Sequence, residues 1–363
     1  MAQASTNGRD GQGDTARLLL AAARERFAVA ATDLLLPDSV RLTEWQRLTA
    51  ARLLGRIVRG IEDGLRSRLS VTFQDQEALH AALSSAHVPI ALPILERAQV
   101  LRDAEISNIL VRRVEEHRFW KKSAIAQGTY LFDLVQDSDE AIAADAMAVV
   151  IARSRRFDRF EDAAVGQIDL PAELQHKLVW MVAAALRQYI SQQHEVRSVD
   201  SAVEEAATAL IAGYDEGESL EAHAYRLAQR LYRSGRLEGS VLARIAAEGV
   251  LPFFIAALSV LCALDHVATW EVLSDPRGRG PALLLRAAAV ERERAAAILL
   301  ALNEHGPFIT GLEGDAVAAQ LELFDTLDQP AAQDVLKLWQ AHPSYRASVA
   351  RISTRARPAA EAA

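Results

Sequence analysis

The chain has 363 residues, half of them hydrophobic and 24% charged, a globular composition that excludes disorder as its default state. Forty basic residues face 48 acidic ones, and a net charge of −8 excludes non-specific attraction of the whole molecule to phosphate backbones. The single cysteine, Cys262, excludes an intrachain disulfide and a cysteine-based zinc site, and fits a reducing compartment.

Met1 to Asp14 is polar and glycine-rich without an apolar stretch, so no cleavable secretory signal is expected and residues 1–13 read as a flexible lead-in to a cytoplasmic protein. Asp14 can cap a helix running to Leu36, where Pro37 ends it. Thr43-Glu44-Trp45-Gln46 fits a capping box, in which the Thr hydroxyl and the Gln amide satisfy reciprocal backbone donors. A long helix to Arg68 should follow, with Leu54, Ile57, Val58, Ile61 and Leu65 on one face and Arg52, Arg56, Arg59 and Arg66 on the other. Residues 14–70 thus form an N-terminal segment of long helices.

From Asp75 the helices shorten, at 75–86, 89–98, 103–116, 118–127, 130–136 and 139–153. A weak similarity at an offset of 36 pairs Leu95, Asp103, Ile106 and Val114 with Leu131, Asp139, Ile142 and Val150. Asp103 and Asp139 then cap equivalent helices, because a carboxylate accepts from unsatisfied amides and complements the helix dipole. Residues 71–195 therefore read as a HEAT-like helical repeat array in which each hairpin buries its apolar side against the next. Asp169-Leu170-Pro171 opens a long helix to Gln193, with Leu174, Leu178, Met181, Val182, Ala185 and Tyr189 as its core face.

A polar hinge at 194–200 leads into a second group of packed helices spanning 200–342, predicted at 200–212, 220–234, 238–248, 251–264, 266–273, 281–289, 291–303, 315–327 and 330–341. The longest apolar run, Val250 to Leu264, would extend only about 22 Å as a helix, short of the roughly 30 Å of a bilayer core, so it reads as buried and no transmembrane segment is expected. Residues 343–363, rich in Ala, Arg and Pro, read as a disordered tail. Most of the negative charge lies beyond position 199. The fold class is all-α.

Pro93-Ile94-Leu95-Glu96, Leu101 through Asp103-Ala104-Glu105-Ile106, His117 followed by Ala124-Ile125-Ala126, and Asp169-Leu170-Pro171 follow one another in order between Val88 and Ile190. With these segments the stretch resembles an uncharacterised alphaproteobacterial family, a domain of unknown function with HEAT-like helical hairpins. Residues 220–303 look like its weaker C-terminal portion. Gln127 stands where a basic residue is expected, and Asp145 with Met147 replaces an expected Asn-containing segment. The resemblance implies a fold and a bacterial setting and transfers no catalytic residues.

No phosphate loop, serine-hydrolase elbow or His-Glu-x-x-His motif is present in the sequence. Glu77-x-x-His80 and Glu173-x-x-His176 have di-iron spacing, yet Leu79 with Leu83 and Leu174 with Leu178 mark the buried faces, so solvated surface pairs are the stronger reading. His117 and His223 are weak candidates for phosphoryl transfer, and Cys262 in an apolar helix is a weaker nucleophile still. No cofactor or metal is called for, and no catalytic set is visible.

What remains is a binding surface. Arg52, Arg56, Arg59 and Arg66 form a stripe with Trp45 beside it, and Arg112, Arg113, Phe119, Trp120, Lys121 and Lys122 form a second basic and aromatic cluster around an expected junction at His117. The alternative is that the arginines are solvated faces and the aromatics pack on neighbouring helices. The expectation is a non-enzymatic scaffold or regulatory adaptor with a protein partner; the alternatives are a nucleic-acid or small-ligand binding helical-repeat protein, or an unrecognised phosphorelay or metal enzyme, and nucleic acid is the less favoured partner because interleaved Asp and Glu weaken the local field.

Overall fold

The computed structural model describes residues 42–342 except 86–87, 124–128, 159, 161–169, 195–197, 276–277 and 305–315, together with 344–346, 348–349 and 352. The expected lead-in at 1–13 and helix at 14–36 lie outside the described residues. Among the described residues the structure is all-α.

α1 (Glu44–Thr72) starts as the capping box requires: Gln46 N donates to Thr43 Oγ1 at 3.2 Å, and Thr43 N donates to Gln46 Oε1 at 2.7 Å. Gln46 also donates through Nε2 to Glu115 Oε1 at 2.7 Å, so one residue both starts α1 and fastens it to a helix distant in sequence. α1 buries Leu53, Ile57, Val58, Ile61, Leu65 and Leu69. The short helices α2 (Glu77–Ser84) and α3 (Ala91–Arg97) follow, then α4 (Ala104–Ser123). The expected break at His117 does not occur; α4 runs through it, and Phe119 and Trp120 lie on the same helix as Arg112.

α5 (Tyr130–Val135), α6 (Glu140–Phe157), α7 (Ala172–Gln193) and α8 (Val199–Ala212) come next. The offset-36 capping positions behave alike: Asp103 Oδ1 accepts from Glu105 N and Ile106 N at 2.9 and 3.1 Å, and Asp139 Oδ1 from Ala141 N and Ile142 N at 2.9 and 3.3 Å. The remaining helices are α9 (Leu220–Arg233), α10 (Gly239–Ala247), α11 (Leu251–Cys262), α12 (His266–Leu273), α13 (Gly280–Ala287), α14 (Arg292–Glu304), α15 (Ala316–Thr326) and α16 (Gln329–Leu336).

Two hydrophobic cores organise these helices, and the chain passes between them repeatedly. α1–α3, the first half of α4, α7 and α8 share one core; Phe119 at the end of α4, α5, α6 and α9–α16 share the other. α1, which precedes the array expected at 71–195, packs against α2, α3, α4, α7 and α8, and within that span α3 packs against α7 across three intervening helices, a contact that a single-file stack of successive hairpins does not make. The expected division at 194–200 does not coincide with the boundary between the cores: α8 lies beyond it and joins the first core, whereas α5 and α6 lie before it and join the second.

α11 sits at the centre of the second core, buried from Leu251 to Ser259, with α9, α10 and α12 against it. No single described helix is long and apolar enough to cross a membrane, and the α11–α12 pair is bent by 105°. The start of the expected tail is docked: buried Arg346 donates through Nη1 to the carbonyls of Trp339 and Ala341 at 2.9 and 2.8 Å and pairs with Glu271 at 3.3 Å.

Candidate functional site: an arginine-lined cavity on α1 and α4

The polar stripe of α1 forms one wall of a cavity of about 540 Å³, lined by Trp45, Thr49, Arg52, Gly55, Arg56, Arg59, Leu92, His117 and Phe160. Positions 45, 49, 52, 56 and 59 recur every three or four residues and so occupy one face of a helix whose opposite face is in the core. Trp45 is 46% exposed, Arg52 and Arg59 are exposed, and Arg56 is half-buried with its guanidinium 5.5 Å from the Phe160 ring centre. Phe160 in turn stacks on His117, with centroids 4.0 Å apart and planes within 12°. The cavity thus has a cationic wall, an aromatic floor and an exposed indole.

No Asp or Glu is among the described lining residues. Arg52 and Arg59 form no ion pair or hydrogen bond among the described residues. Arg52 and Arg56 stand four apart and Arg56 and Arg59 three apart, and each such like-charged pair on a helix costs about 0.2–0.5 kcal/mol. An anion in the cavity would relieve that repulsion. Asp63, one turn beyond Arg59 on α1, has its pKa raised by burial and by Glu62, with Arg66 and Arg59 opposing.

Other expected surface residues are placed differently. Arg66 is buried, donating to the carbonyls of Leu83, Ala82 and Val88 at 2.8, 2.9 and 3.1 Å and to that of Ser85, while Nη1 pairs with Glu62 at 3.1 Å. Glu62 accepts from Ile90 N and Ala91 N, both at 2.9 Å. This pair closes the C-terminus of α2 and the N-terminus of α3, satisfying groups that helix ends leave open. Arg66 is therefore a structural cap and not a partner contact: its angular position on α1 is polar, but the α2–α3 connection covers it.

Arg112 and Arg113 are also buried, contrary to the expected exposed cluster. Arg112 Nε donates to Glu116 Oε1 at 2.7 Å, and Arg113 Nη1 donates to Glu116 Oε2 at 2.9 Å and also to Glu221. Arg156 from α6 donates to both Glu221 oxygens at 2.7 and 2.6 Å. Arg112 also contacts His266 Nε2 and lies 5.6 Å from the Trp270 ring centre. These residues join α4, α6, α9 and α12, and so stitch the end of the first core to the second.

Burial alone would raise the Glu221 pKa, but Arg113, Arg156 and Arg112 hold it well below 4.5. Burial, with Arg112 adjoining, pushes His266 well below 6.5 and keeps the imidazole neutral. Glu116, Glu221 and His266 present ligand atoms within 4.8 Å of one another. Both carboxylates are engaged by guanidinium groups, and a divalent cation there would sit among three positive charges, so the donor set fits an ion-pair network better than a metal centre.

Phe119 is buried in the second core, and Trp120 is partly buried and stacks on Phe157 with centroids 5.4 Å apart, so neither is an exposed anchor. Lys121 and Lys122 are exposed but do not line the cavity. Glu77, His80, Glu173 and His176 are exposed on α2 and α7. His117 and His223 are buried, and burial pushes the Cys262 thiol up to about 12. Sequence reasoning found Trp45, Arg52, Arg56 and Arg59 but missed Thr49, Leu92 and Phe160 as their companions, and placed His117 at a junction. Thr49 was legible from its helical spacing; Leu92 and Phe160 arrive by tertiary packing alone.

The profile of a family described as an uncharacterised protein conserved in bacteria (DUF2336) matches residues 131–337. The chain belongs to this family. The match covers more than half of the sequence, from α5 to just beyond α16, and takes in all of 220–303, the portion that the sequence marked as the weaker; it begins later than the expected Val88 and specifies bacteria and no narrower group. No curated protein and no solved structure matches the chain. The α1 wall of the cavity lies outside the family span, whereas Phe160 lies inside it.

Proposed function

We propose that this bacterial protein is a non-enzymatic cytoplasmic adaptor that receives an acidic group of a protein partner in the Trp45–Arg59 cavity. The observation that carries the reading is the concave wall of Arg52, Arg56 and Arg59 without an acidic lining residue among those described, beside an exposed Trp45. Guanidinium groups at helical spacing match carboxylate or phosphate geometry, and a partly exposed indole supplies contact area at small conformational cost. The all-helical scaffold, joined through two cores and a buried ion-pair network, presents the helix backbone of this wall, and the ordering cost of binding falls on the exposed Arg52 and Arg59 side chains. A reducing, cytoplasmic setting agrees with Cys262 as a lone buried thiol.

Affinity capture from a bacterial lysate tests the reading. One protein retained at stoichiometric level should be lost with Trp45→Ala and with Arg59→Glu, and kept with Arg187→Ala, which removes an exposed ion pair between α7 and Asp200 of α8. Capture indifferent to Trp45 and Arg59 would move the partner site elsewhere. Retention on nucleic acid that collapses with added salt and with Arg59→Glu would replace the protein partner by a polyanion.

A further inference from the structure

We infer that the anion accepted by this cavity is a phosphate monoester carried on a planar ring, in preference to a carboxylate. The inference rests on the proposed role of the Trp45–Arg59 cavity and narrows the chemistry it selects. Arg52 and Arg59 lack ion-pair and hydrogen-bond partners among the described residues, so both forks remain available, and Thr49 adds a hydroxyl donor on the same wall. A carboxylate brings one charge and two oxygens to this wall. A phosphate monoester brings close to two charges at neutral pH and three acceptor oxygens, which matches two guanidinium forks and a hydroxyl.

The ring requirement comes from the rest of the lining. Phe160, buried with His117 stacked on it and the Arg56 guanidinium over its ring, closes the base of the cavity, and Trp45, exposed in the same lining, is the aromatic surface open to a ligand ring. A volume of about 540 Å³ falls within the range of small-ligand sites and accommodates one ring with its phosphate. The phosphoryl group can come from a phosphorylated aromatic side chain of the partner or from a free phosphate ester; the chemistry that the cavity reads is the same.

Titration calorimetry of the full chain with phenyl phosphate and with benzoate isolates the anion, since the ring is common to both. Phenyl phosphate should bind at least tenfold more tightly than benzoate, inorganic phosphate more weakly than phenyl phosphate, and Arg52→Ala and Arg59→Ala should each reduce affinity at least tenfold. Arg59→Lys, which keeps the charge and loses the fork, should recover only part of it, and circular dichroism of each variant checks that the helices are retained.

Equal affinity for benzoate would overturn the phosphoryl preference and leave the acidic-partner reading intact. Absence of binding by both probes, with a partner still captured through Trp45 and Arg59, would also overturn this inference alone; absence of probe binding and of partner capture would overturn both. If the preference holds, phosphatase treatment of the lysate identifies the source. Loss of capture assigns the phosphate to the partner, and unchanged capture that phenyl phosphate displaces assigns the site to a free ester.

Discussion

Glu116 has no solvent exposure and nonetheless carries the charge on which three arginines converge, with Arg112 at 2.7 Å, Arg113 at 2.9 Å and Arg156 at 3.5 Å. Replacing it by Gln leaves those buried guanidinium groups under-compensated, which costs far more than an exposed pair would. Glu116→Gln should lower the unfolding free energy in urea by about 3–5 kcal/mol. Arg187→Ala, which removes an exposed pair with Asp200, should leave the urea midpoint unchanged.

Acid should destabilise the protein in two stages. Below 6.5, the ordinary histidine value, the unfolded chain takes up a proton that the folded His266 site resists, so stability falls as pH drops from 6.5 toward the depressed native value. Glu221, held below 4.5 in the folded state, adds a second loss that begins under pH 4.5 as the unfolded carboxyl protonates first. Urea midpoints measured from pH 7.5 to 4 should decline, and His266→Gln should flatten the segment between 6.5 and 4.5. A flat wild-type profile there would contradict a native imidazole held neutral. None of this network was visible as a unit in the sequence: Arg112, Arg113 and Glu116 fall within one helix turn, but Glu221 lies more than a hundred positions away, and only packing makes the arginines interior.

At the scale of elements, helix starts were the most legible feature, because caps are local chemistry. Thr43 with Gln46, Asp103 and Asp139 act as their spacing requires. The helix predicted at 266–273 has the observed limits, and those at 200–212 and 220–234 differ by one residue. The junction at His117 was misplaced because Glu115-Glu116-His117-Arg118 looks polar enough to break a helix, whereas Glu116 is neutralised by Arg112 and Arg113, and Glu115 pairs with Arg118 and accepts from Gln46. Turn positions give a direct check. Gly249 has φ +72°, and a side chain there would collide with Ser123 at the end of α4, so Gly249→Ala should destabilise by about 2–4 kcal/mol, combining left-handed strain with overpacking. Ala263 caps α11 in the left-handed region at φ 52° and is exposed, so Ala263→Gly should be neutral to stabilising, by up to about 1 kcal/mol. Thermal melts of the two variants should therefore move in opposite directions or, at the least, only Gly249→Ala should fall.

For the whole molecule, amphipathic periodicity identified which side of each helix is buried and could not identify the partner that buries it. That is why the secondary structure was legible while the grouping into 71–195 and 200–342 differs from the two cores. The grouping has a measurable consequence. Fragments 1–197 and 198–363 should each fail to unfold cooperatively, because the first lacks Val203, Ala206 and Ala207 of α8 and the second lacks Leu131, Ile142 and Val149 of α5 and α6. Mixing them should restore a single transition by circular dichroism; two independently folded halves would instead melt sharply alone.

The alternation of the chain between cores also sets an order for assembly on the ribosome. The first core cannot close until α8 has emerged, by which time α5 and α6 are already outside with nothing to cover them. Their apolar sides must wait for α9, which packs on α6, so a nascent chain halted near residue 215 should engage holding chaperones more strongly than one halted near residue 265.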